Sequence, residues 1–270
     1  MNAMNALRKL LPDAPASSLR KLLRFDAVTF NGRTLRNGDR VHRLQDVDIP
    51  RWALTRWRGT NIHCLDSLVL HETEGALAIN KPAGMCVQGG RGVGSHHATL
   101  TSLVKHNSRT ALQLVHRLDG VCSGAMVLAR DDKSAHELLR MFKQREIAKE
   151  YVALLERAPR RQVTEVKQPV GGKSAYTLVE VEALPASGDG PVLVRMKPRT
   201  GRQHQLRLHA AEALKAPIVG DERYGASAIG NRRRRAICLH SRRIEAPGMI
   251  SAETPVPAHM QRVLEKHGIA

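Results

Sequence analysis

Cysteine is scarce in this 270-residue sequence. The four cysteines, Cys64, Cys86, Cys122 and Cys238, are scattered and form no C-x-x-C spacing, which argues against a zinc site. So few cysteines in so long a chain indicate a reducing compartment. Long apolar runs are missing as well, so we predict neither a membrane-spanning helix nor a secretory signal with an apolar core.

Acidic residues are almost missing from the first 24 residues, which are basic and rich in leucine. This composition suits the start of a cytoplasmic protein, and it also suits a mitochondrial transit peptide. We therefore predict a cytoplasmic protein and keep the mitochondrial matrix as the alternative.

Acidic residues are also outnumbered in the whole chain, which has 43 Lys and Arg, 25 Asp and Glu and a formal net charge of +18. Residues 1–60 hold 12 basic and 5 acidic side chains, and residues 195–243 hold 13 and 3. These two segments carry nearly all of the excess, which favours two defined contact surfaces for a polyanion such as nucleic acid. The alternative is a solvated basic shell.

Two glycine-rich stretches resemble phosphate loops but lack parts that such loops require. Gly171–Ser174 reads GGKS, yet Lys167 stands where a P-loop has its first glycine. Gly89–Gly94 reads GGRGVG, and because no strand leads directly into it we interpret it as a mobile loop. The adjacent His96 and His97 have no carboxylate or cysteine cluster beside them. We therefore predict neither a nucleotide-dependent enzyme nor a metal site.

Residues 1–50 predict a small domain of two helices and a hairpin. The second helix, with Ser17 or Ser18 as its cap, should bury its leucines, and Asn31-Gly32 should form a hairpin turn. Over about residues 5–48 the arrangement resembles the S-four-type (alpha-L) RNA-binding domain. That resemblance implies that structured RNA binds to the exposed basic face of the second helix, formed by Arg20, Lys21 and Arg24.

Residues 51–63 predict a linker. Its two tryptophans, Trp52 and Trp57, have two readings: they stack on bases, or they anchor the two domains.

Residues 64–270 predict a larger domain in which strands are interrupted by isolated helices. One of these helices, capped by Asp131 or Asp132, should pack through an apolar stripe of Leu138, Leu139 and Phe142. Runs of strands with isolated helices are typical of an α+β fold on an antiparallel or mixed sheet, with helices flanking it.

Asp119 is the strongest acidic candidate for catalysis. It stands in LQLVHRLDGVCSGAMVLAR, residues 112–130, where two apolar runs flank a glycine loop and His116 and Arg117 precede the carboxylate. A single Asp beside a glycine is more often a turn former than a nucleophile. Its flanks favour a catalytic role here.

The stretch HRLDGVCSGAMVLAR resembles the signature of the RluA family of pseudouridine synthases. AINKPAGMCV precedes it, and FKQREIAKEYVALLE, PRTGRQHQLRLHAAEALKAPIVGDERYG and LHSRRI follow it in the order of that family. Together these motifs span about residues 64–245. The resemblance implies a pseudouridine-synthase-like mixed or antiparallel central sheet, and an activity that isomerises uridine in RNA. Isomerisation oxidises nothing and donates no group, so no cofactor is expected.

The resemblance also implies roles for particular residues. Asp119 becomes the catalytic carboxylate, Arg207 its ion-pair partner and Tyr151 the aromatic that stacks on the target base. A carboxylate in an apolar pocket needs such a guanidinium to stay ionised. Arg117 is expected to fill the space that a flipped base leaves, or to hold a phosphate. The remaining RNA contacts are expected from Lys149, Arg199, Arg202, His204, Arg232, Arg233, Arg234 and Arg235.

Two functions stay open from the sequence. The loop after Asp119 reads Gly120-Val121-Cys122, where that family usually has a charged residue and a threonine, and Gln203 and Ala216 also depart from its pattern. The first hypothesis is an RNA pseudouridine synthase, a monomer acting on ribosomal RNA or on transfer RNA. The second is an RNA-binding ribosome assembly factor of the same fold with weak or no activity, bound to ribosomal subunit precursors.

Overall fold

The computed structural model describes residues 1–11, 14, 16–24, 28–49, 65–88, 99–106, 112–226 and 237–269, without the side chains of Lys21, Lys105 and His106. Several predicted features lie outside the described residues. They are the linker with Trp52 and Trp57, the glycine-rich stretch 89–94 with His96 and His97, and the basic residues Arg232, Arg233, Arg234 and Arg235.

The chain divides into two compact units. The first comprises residues 1–64 and 89–99, and the second comprises residues 65–88 and 100–270. The predicted domain limits and the S-four-type character of the first domain stay predictions. Within the ranges given above, no helix has the length and apolar character that crossing a membrane would need.

The first unit contains two helices and a three-stranded antiparallel sheet. The elements are α1 (Ala3–Leu10), α2 (Ala16–Arg24), β1 (Thr29–Phe30), β2 (Arg33–Thr34) and β3 (Val47–Asp48), with the strand order β2-β1-β3. The predicted turn at Asn31-Gly32 is confirmed, because both residues have positive φ, 49° and 76°, as a two-residue hairpin loop requires. The predicted serine cap is wrong, since α2 begins at Ala16 and both serines lie inside its first turn.

Leucines from both helices form the core of the first unit. Leu7, Leu19 and Leu22 are buried among them, while Arg20 and Arg24 are exposed. A depression of about 520 Å³ opens beside α2, and it is lined by Arg20, Leu23, Arg24, Arg36 and Asn37. The leucine periodicity therefore turns an arginine-bearing face of α2 towards solvent.

The second unit is built on one large mixed sheet. Its strands are β4 (Val69–Glu72), β5 (Ala76–Lys81), β6 (Gln113–Leu114), β7 (Ser123–Ala129), β8 (Ala148–Leu155), β9 (Val163–Val166), β10 (Thr177–Ala183), β11 (Val192–Pro198), β12 (Leu239–Ala246) and β13 (Ile250–Glu253). Its helices are α3 (Leu100–His106), α4 (Asp132–Gln144), α5 (Gln205–Leu208) and α6 (Ala258–Lys266). The predicted α+β fold is confirmed.

The strand order is β4-β5-β7-β12-β8-β11-β10-β9, with β6 paired to β7 and β13 paired to β12. β12 runs parallel to β7 and antiparallel to β8, so it joins two antiparallel halves of the sheet. β7 is buried along its whole length and β8 over residues 152–155, and both strands have neighbouring strands on each edge. The loop that carries Asp119 leads directly into this central strand β7.

Helix α4 packs through two of the three predicted apolar residues, Leu138 and Phe142, together with Met141. Asp131 caps it as expected, with its side chain accepting from the Ser134 N–H at 2.7 Å. Leu138 and Met141 are buried, but Leu139 is 50% exposed, so its place in the stripe is wrong. Residue 139 is one step of about 100° beyond Leu138, which carries it off the face that meets the sheet.

Candidate active site

Backbone hydrogen bonds hold the loop that carries Asp119. The Cys122 N–H donates to the Asp119 carbonyl oxygen at 3.0 Å, which closes a turn over Gly120 and Val121. The Gly120 carbonyl oxygen accepts from the Gly84 N–H at 2.6 Å, so the loop is tied to the segment after β5. Backbone hydrogen bonds therefore hold the loop, and the Val121 side chain packs against the core of the second unit.

Close contacts favour glycine at two positions around this loop, and at Gly124 they require it. A Cβ on Gly120 would lie 3.0 Å from the Cys86 sulfur. A Cβ on Gly124 would lie 2.2 Å from the Ser241 carbonyl oxygen, and Gly124 has a φ of +116° that other residues rarely adopt. Gly124 pairs with Ser241 across the parallel β7–β12 contact. Gly124 thus lets the backbones of β7 and β12 approach each other closely beside the site.

Arg207 on α5 connects two carboxylates. Its Nε and Nη2 donate to the two carboxylate oxygens of Asp221 at 2.6 and 2.7 Å, a bidentate arrangement. Its Nη1 faces Oδ2 of Asp119 at 3.4 Å. Arg207 and Asp221 are 5% and 2% exposed. Burial opposes the charge on Arg207, but its hydrogen bonds to Asp221 and the charges of both carboxylates raise its pKa above the ordinary value.

His204 and Tyr224 lie on the other side of the same carboxylate. Nε2 of His204 is 3.7 Å from Oδ1 of Asp119, and its Nδ1 is 2.6 Å from the Tyr224 hydroxyl. The Tyr224 ring lies beneath the guanidinium of Arg207, whose Cζ is 4.8 Å from the ring centroid. Each carboxylate oxygen of Asp119 therefore faces a different nitrogen-bearing side chain.

Tyr151 occupies β8 opposite Ser241 of β12 and Met196 of β11. Burial raises the pKa of Tyr151, and the negative charge of nearby Asp119 raises it further. The phenol of Tyr151 is therefore neutral, and it is close enough to Asp119 to interact with its charge. Lys149 is two residues earlier on the same face of β8, and burial lowers its pKa.

Lys81, at the end of β5, is a buried cation that the sequence interpretation missed. Its side chain is 0% exposed, and its Nζ donates to the carbonyl oxygens of Pro82 and Met85 at 2.9 Å each. Burial lowers the pKa of Lys81 to about 8, and the charges of Cys122, Cys86 and Asp119 oppose that change. The sequence contained a signal for this burial, because Lys81 directly follows the mostly apolar run ALAIN and precedes Pro-Ala-Gly.

Replacement of Lys81 by Met should remove a pH dependence of folding. The native lysine releases its proton above about pH 8 and the unfolded one above 10.5, so the unfolded chain binds more protons between these values. Relative to the variant, the native protein should gain about 3 kcal/mol in free energy of unfolding between pH 8 and 10.5. Urea unfolding at several pH values measures this. The exposed Lys133→Met is the control, and a pH-independent difference for Lys81→Met would contradict the burial argument.

His116 is neutral and structural, although the sequence presented it as a potential cation next to Asp119. Its Nε2 accepts from the Val127 N–H at 2.9 Å, and its ring stacks on Phe142 at 4.7 Å between centroids. Burial, with a smaller contribution from Lys149, lowers the pKa of His116 to about 3. The cation that faces Asp119 is Arg207, which comes from the later motif instead.

The predicted RNA-binding residues are divided among several places. Arg117, beside Asp119, is exposed. Arg199 lies over the ring of Tyr176 with its Cζ 5.0 Å from the centroid, and Arg202 donates from Nε to the Ser174 carbonyl oxygen at 3.0 Å. His204 lies at Asp119, while Arg20 and Arg24 belong to the first unit. Asp221 and Tyr224, which hold Arg207 and His204, had no assigned role in the sequence.

Comparison with known proteins identifies the family that this chain resembles. A family model described as RNA pseudouridylate synthase matches residues 76–212, about half of the chain and the span from β5 to α5. The chain is 36% identical to an uncharacterised RNA pseudouridine synthase of Zymomonas mobilis, over 67% of this chain and 90% of that protein. It is 29% identical to ribosomal large subunit pseudouridine synthase C of Escherichia coli, over 82% and 75%.

Other relatives extend the comparison. The chain is 30% identical to "RNA pseudouridine synthase 4, mitochondrial" of Arabidopsis thaliana over 82% of its own residues, and it spans 60% of the length of that plant protein. Among solved structures, human RNA pseudouridylate synthase domain containing 4 shares the fold, with a TM-score of 0.65 and 24% identity over 76% of this chain and 95% of that one.

Proposed function

This chain belongs to the RNA pseudouridylate synthase family, whose members are isomerases that act on RNA, and from that premise we propose that Asp119 is its nucleophile and ribosomal RNA its substrate. The observation that carries the proposal is the Asp119 carboxylate between Arg207 and His204, with Tyr151 and the buried Lys81 nearby. Arg207 is held in place by Asp221, so a fixed positive charge faces the Asp119 carboxylate.

The reaction then divides between these side chains. A carboxylate oxygen of Asp119 bonds to the anomeric carbon of the ribose while the bond from that carbon to uracil N1 breaks, and uracil leaves as an anion. The base rotates, and its C5 bonds to the anomeric carbon and displaces the carboxylate. The C5 proton is lost and N1 gains a proton, so the product is an isomer. Tyr151, as a neutral phenol, stacks on the base during its rotation.

The substrate follows from the charge and the relatives together. The Escherichia coli relative is named for the large ribosomal subunit, and a protein with a net charge of +18 is attracted to the phosphate backbone. Arg20, Arg24 and Arg36, around the depression beside α2, add a sequence-independent grip in the first unit. Transfer RNA and precursor ribosomal subunits are the alternative partners. The cytoplasm is the proposed compartment, and the mitochondrial matrix is the alternative.

The direct test is release of tritium from ribosomal RNA that carries the label at C5 of uridine. Pseudouridine formation replaces the C5 hydrogen by the ribose bond, so the label enters water. RNA labelled at C6 is the matched control, because C6 keeps its hydrogen. Release from C5 alone supports the proposal. Tight binding of the RNA with no release from either position would instead favour the assembly-factor alternative, for which the Gly120-Val121-Cys122 loop was the argument.

A further inference from the structure

His204 is held by an unusual backbone and by a buried amide. Its φ of 55° and ψ of 23° are in the left-handed region, which is uncommon for a residue other than glycine, although histidine adopts it more often than most. The next residue, Gln205, is 4% exposed, and its amide accepts from the Arg202 N–H and the Thr200 hydroxyl and donates to Tyr176 and Thr177. This network locks the loop in the conformation that turns His204 towards Asp119.

The position of the proton on His204 follows from its two neighbours. A neutral imidazole has one N–H and one lone pair, and the partner of one nitrogen decides what the other presents. If Nδ1 carried the proton, Nε2 would turn its lone pair to the Asp119 carboxylate 3.7 Å away, which is repulsive. If the Tyr224 hydroxyl donates to Nδ1 at 2.6 Å, Nε2 carries the proton and presents it to Asp119.

We propose that Tyr224 is a positioning residue that fixes this tautomer of His204, so that His204 orients the Asp119 carboxylate from one oxygen while Arg207 holds the other. His204 then belongs to the reaction centre, and its expected contact with the RNA backbone is not its main role. The inference rests on the proposed function of Asp119. The proposal adds the turn from Asp221 to Tyr224 to the site. Asp221 holds Arg207 and Tyr224 holds His204, the two side chains that face Asp119.

The tautomer gives the inference a pH signature. Asp119, Arg207, Asp221 and Arg223 are the charged groups around His204, and burial is the main cause that lowers the pKa of His204 below its usual 6.5. The native imidazole is therefore neutral near pH 8. As the pH falls through that pKa, the imidazolium carries a proton on both nitrogens and needs no hydroxyl to select one.

The decisive variant is Tyr224→Phe, which keeps the ring beneath Arg207 and removes only the hydroxyl. We expect the single-turnover rate of tritium release at saturating enzyme to fall about tenfold at pH 8, the size of one hydrogen bond, with RNA affinity unchanged. The ratio of native to variant rates should shrink as the pH is lowered below 6.5. A ratio that stays constant with pH would show a merely structural hydroxyl and would overturn the proposal.

Two further variants define the path. Ser187→Ala removes an exposed hydroxyl that donates to the Asp189 carbonyl oxygen, away from the site, and should leave the rate unchanged. His204→Gln offers an amide donor that needs no tautomer, so adding Tyr224→Phe to it should have no further effect. If His204→Gln instead weakens RNA binding and its salt dependence while the single-turnover rate holds, His204 is a backbone contact and the inference fails.

A measurement without turnover separates this inference from the proposed function. Nitrogen NMR of the protein with ¹⁵N-labelled histidine reports which ring nitrogen carries the proton, and His204→Gln identifies the signal among the 13 histidines. A proton on Nε2 in the native protein supports the proposal even if no RNA substrate turns over. A proton on Nδ1 in the native protein refutes it even if turnover is normal.

Discussion

Asp119→Asn should abolish tritium release from C5-labelled RNA, with a loss of at least about 10⁴-fold in rate, because an amide can neither attack the anomeric carbon nor leave from it. The substitution keeps the size and shape of the side chain. It also keeps an oxygen that can accept from Arg207 Nη1, now 3.4 Å from Oδ2 of Asp119. We therefore expect the fold and the RNA affinity to be retained.

The control for Asp119→Asn is Asp132→Asn, at the exposed start of α4. Asp132 accepts a hydrogen bond from Gln113 on β6, the strand that leads to the Asp119 loop. The control therefore changes a contact of this strand and leaves the Asp119 carboxylate intact. The control should retain its rate. Full activity of Asp119→Asn, with RNA binding intact, would show that another group attacks the ribose.

The position of Asp119 was predictable because its motif is local. Two apolar strands, a glycine turn and an acid are adjacent in the chain, so the sequence shows them together. The need for Gly124 could not be derived in this way. Its close contact with the Ser241 carbonyl oxygen depends on a parallel pairing with a strand that is more than 100 residues later.

The roles of Asp221, Tyr224 and Lys81 were missed for a related reason. Asp221 and Tyr224 contact partners 14 and 20 residues earlier in the chain, and the buried state of Lys81 is recognised only when the structure is known. Burial also reversed the interpretation of His116, because a histidine that accepts a backbone N–H inside the protein is not a cation. His204 stands among arginines in the sequence and was predicted to contact RNA, while the left-handed backbone that turns it towards Asp119 is visible only in three dimensions.

Arg207→Met should have two separable effects, one on stability and one on rate. It leaves the Asp221 carboxylate buried without its bidentate partner, so the free energy of unfolding should fall by about 3–5 kcal/mol. The partly exposed pair Arg242–Glu150 is the control: Arg242 donates from Nε to Oε1 of Glu150 at 2.9 Å, and Arg242→Met should cost no more than about 1 kcal/mol. Urea unfolding measures both.

The double variant Arg207→Met, Asp221→Asn distinguishes stability from catalysis. With no carboxylate left at position 221, most of the lost free energy of unfolding should return, since the remaining amide is neutral. The rate of tritium release should stay at least about 100-fold below that of the native protein, because no guanidinium then faces Asp119. If Arg207→Met does not fold, the single variant Asp221→Asn tests whether the bidentate grip on Arg207 matters for the rate.

A double variant whose stability and activity both return would mean that Arg207 serves only to neutralise Asp221. The geometry argues against that outcome. The guanidinium donates to Asp221 from Nε and Nη2, and its Nη1 faces Asp119. The ring of Tyr224 packs against the guanidinium. A lysine could not hold one carboxylate at two points and face another, since it is a single point charge. The proposed role of Asp119 therefore needs arginine at position 207, where one rigid fork binds the structural carboxylate of Asp221 and faces that of Asp119.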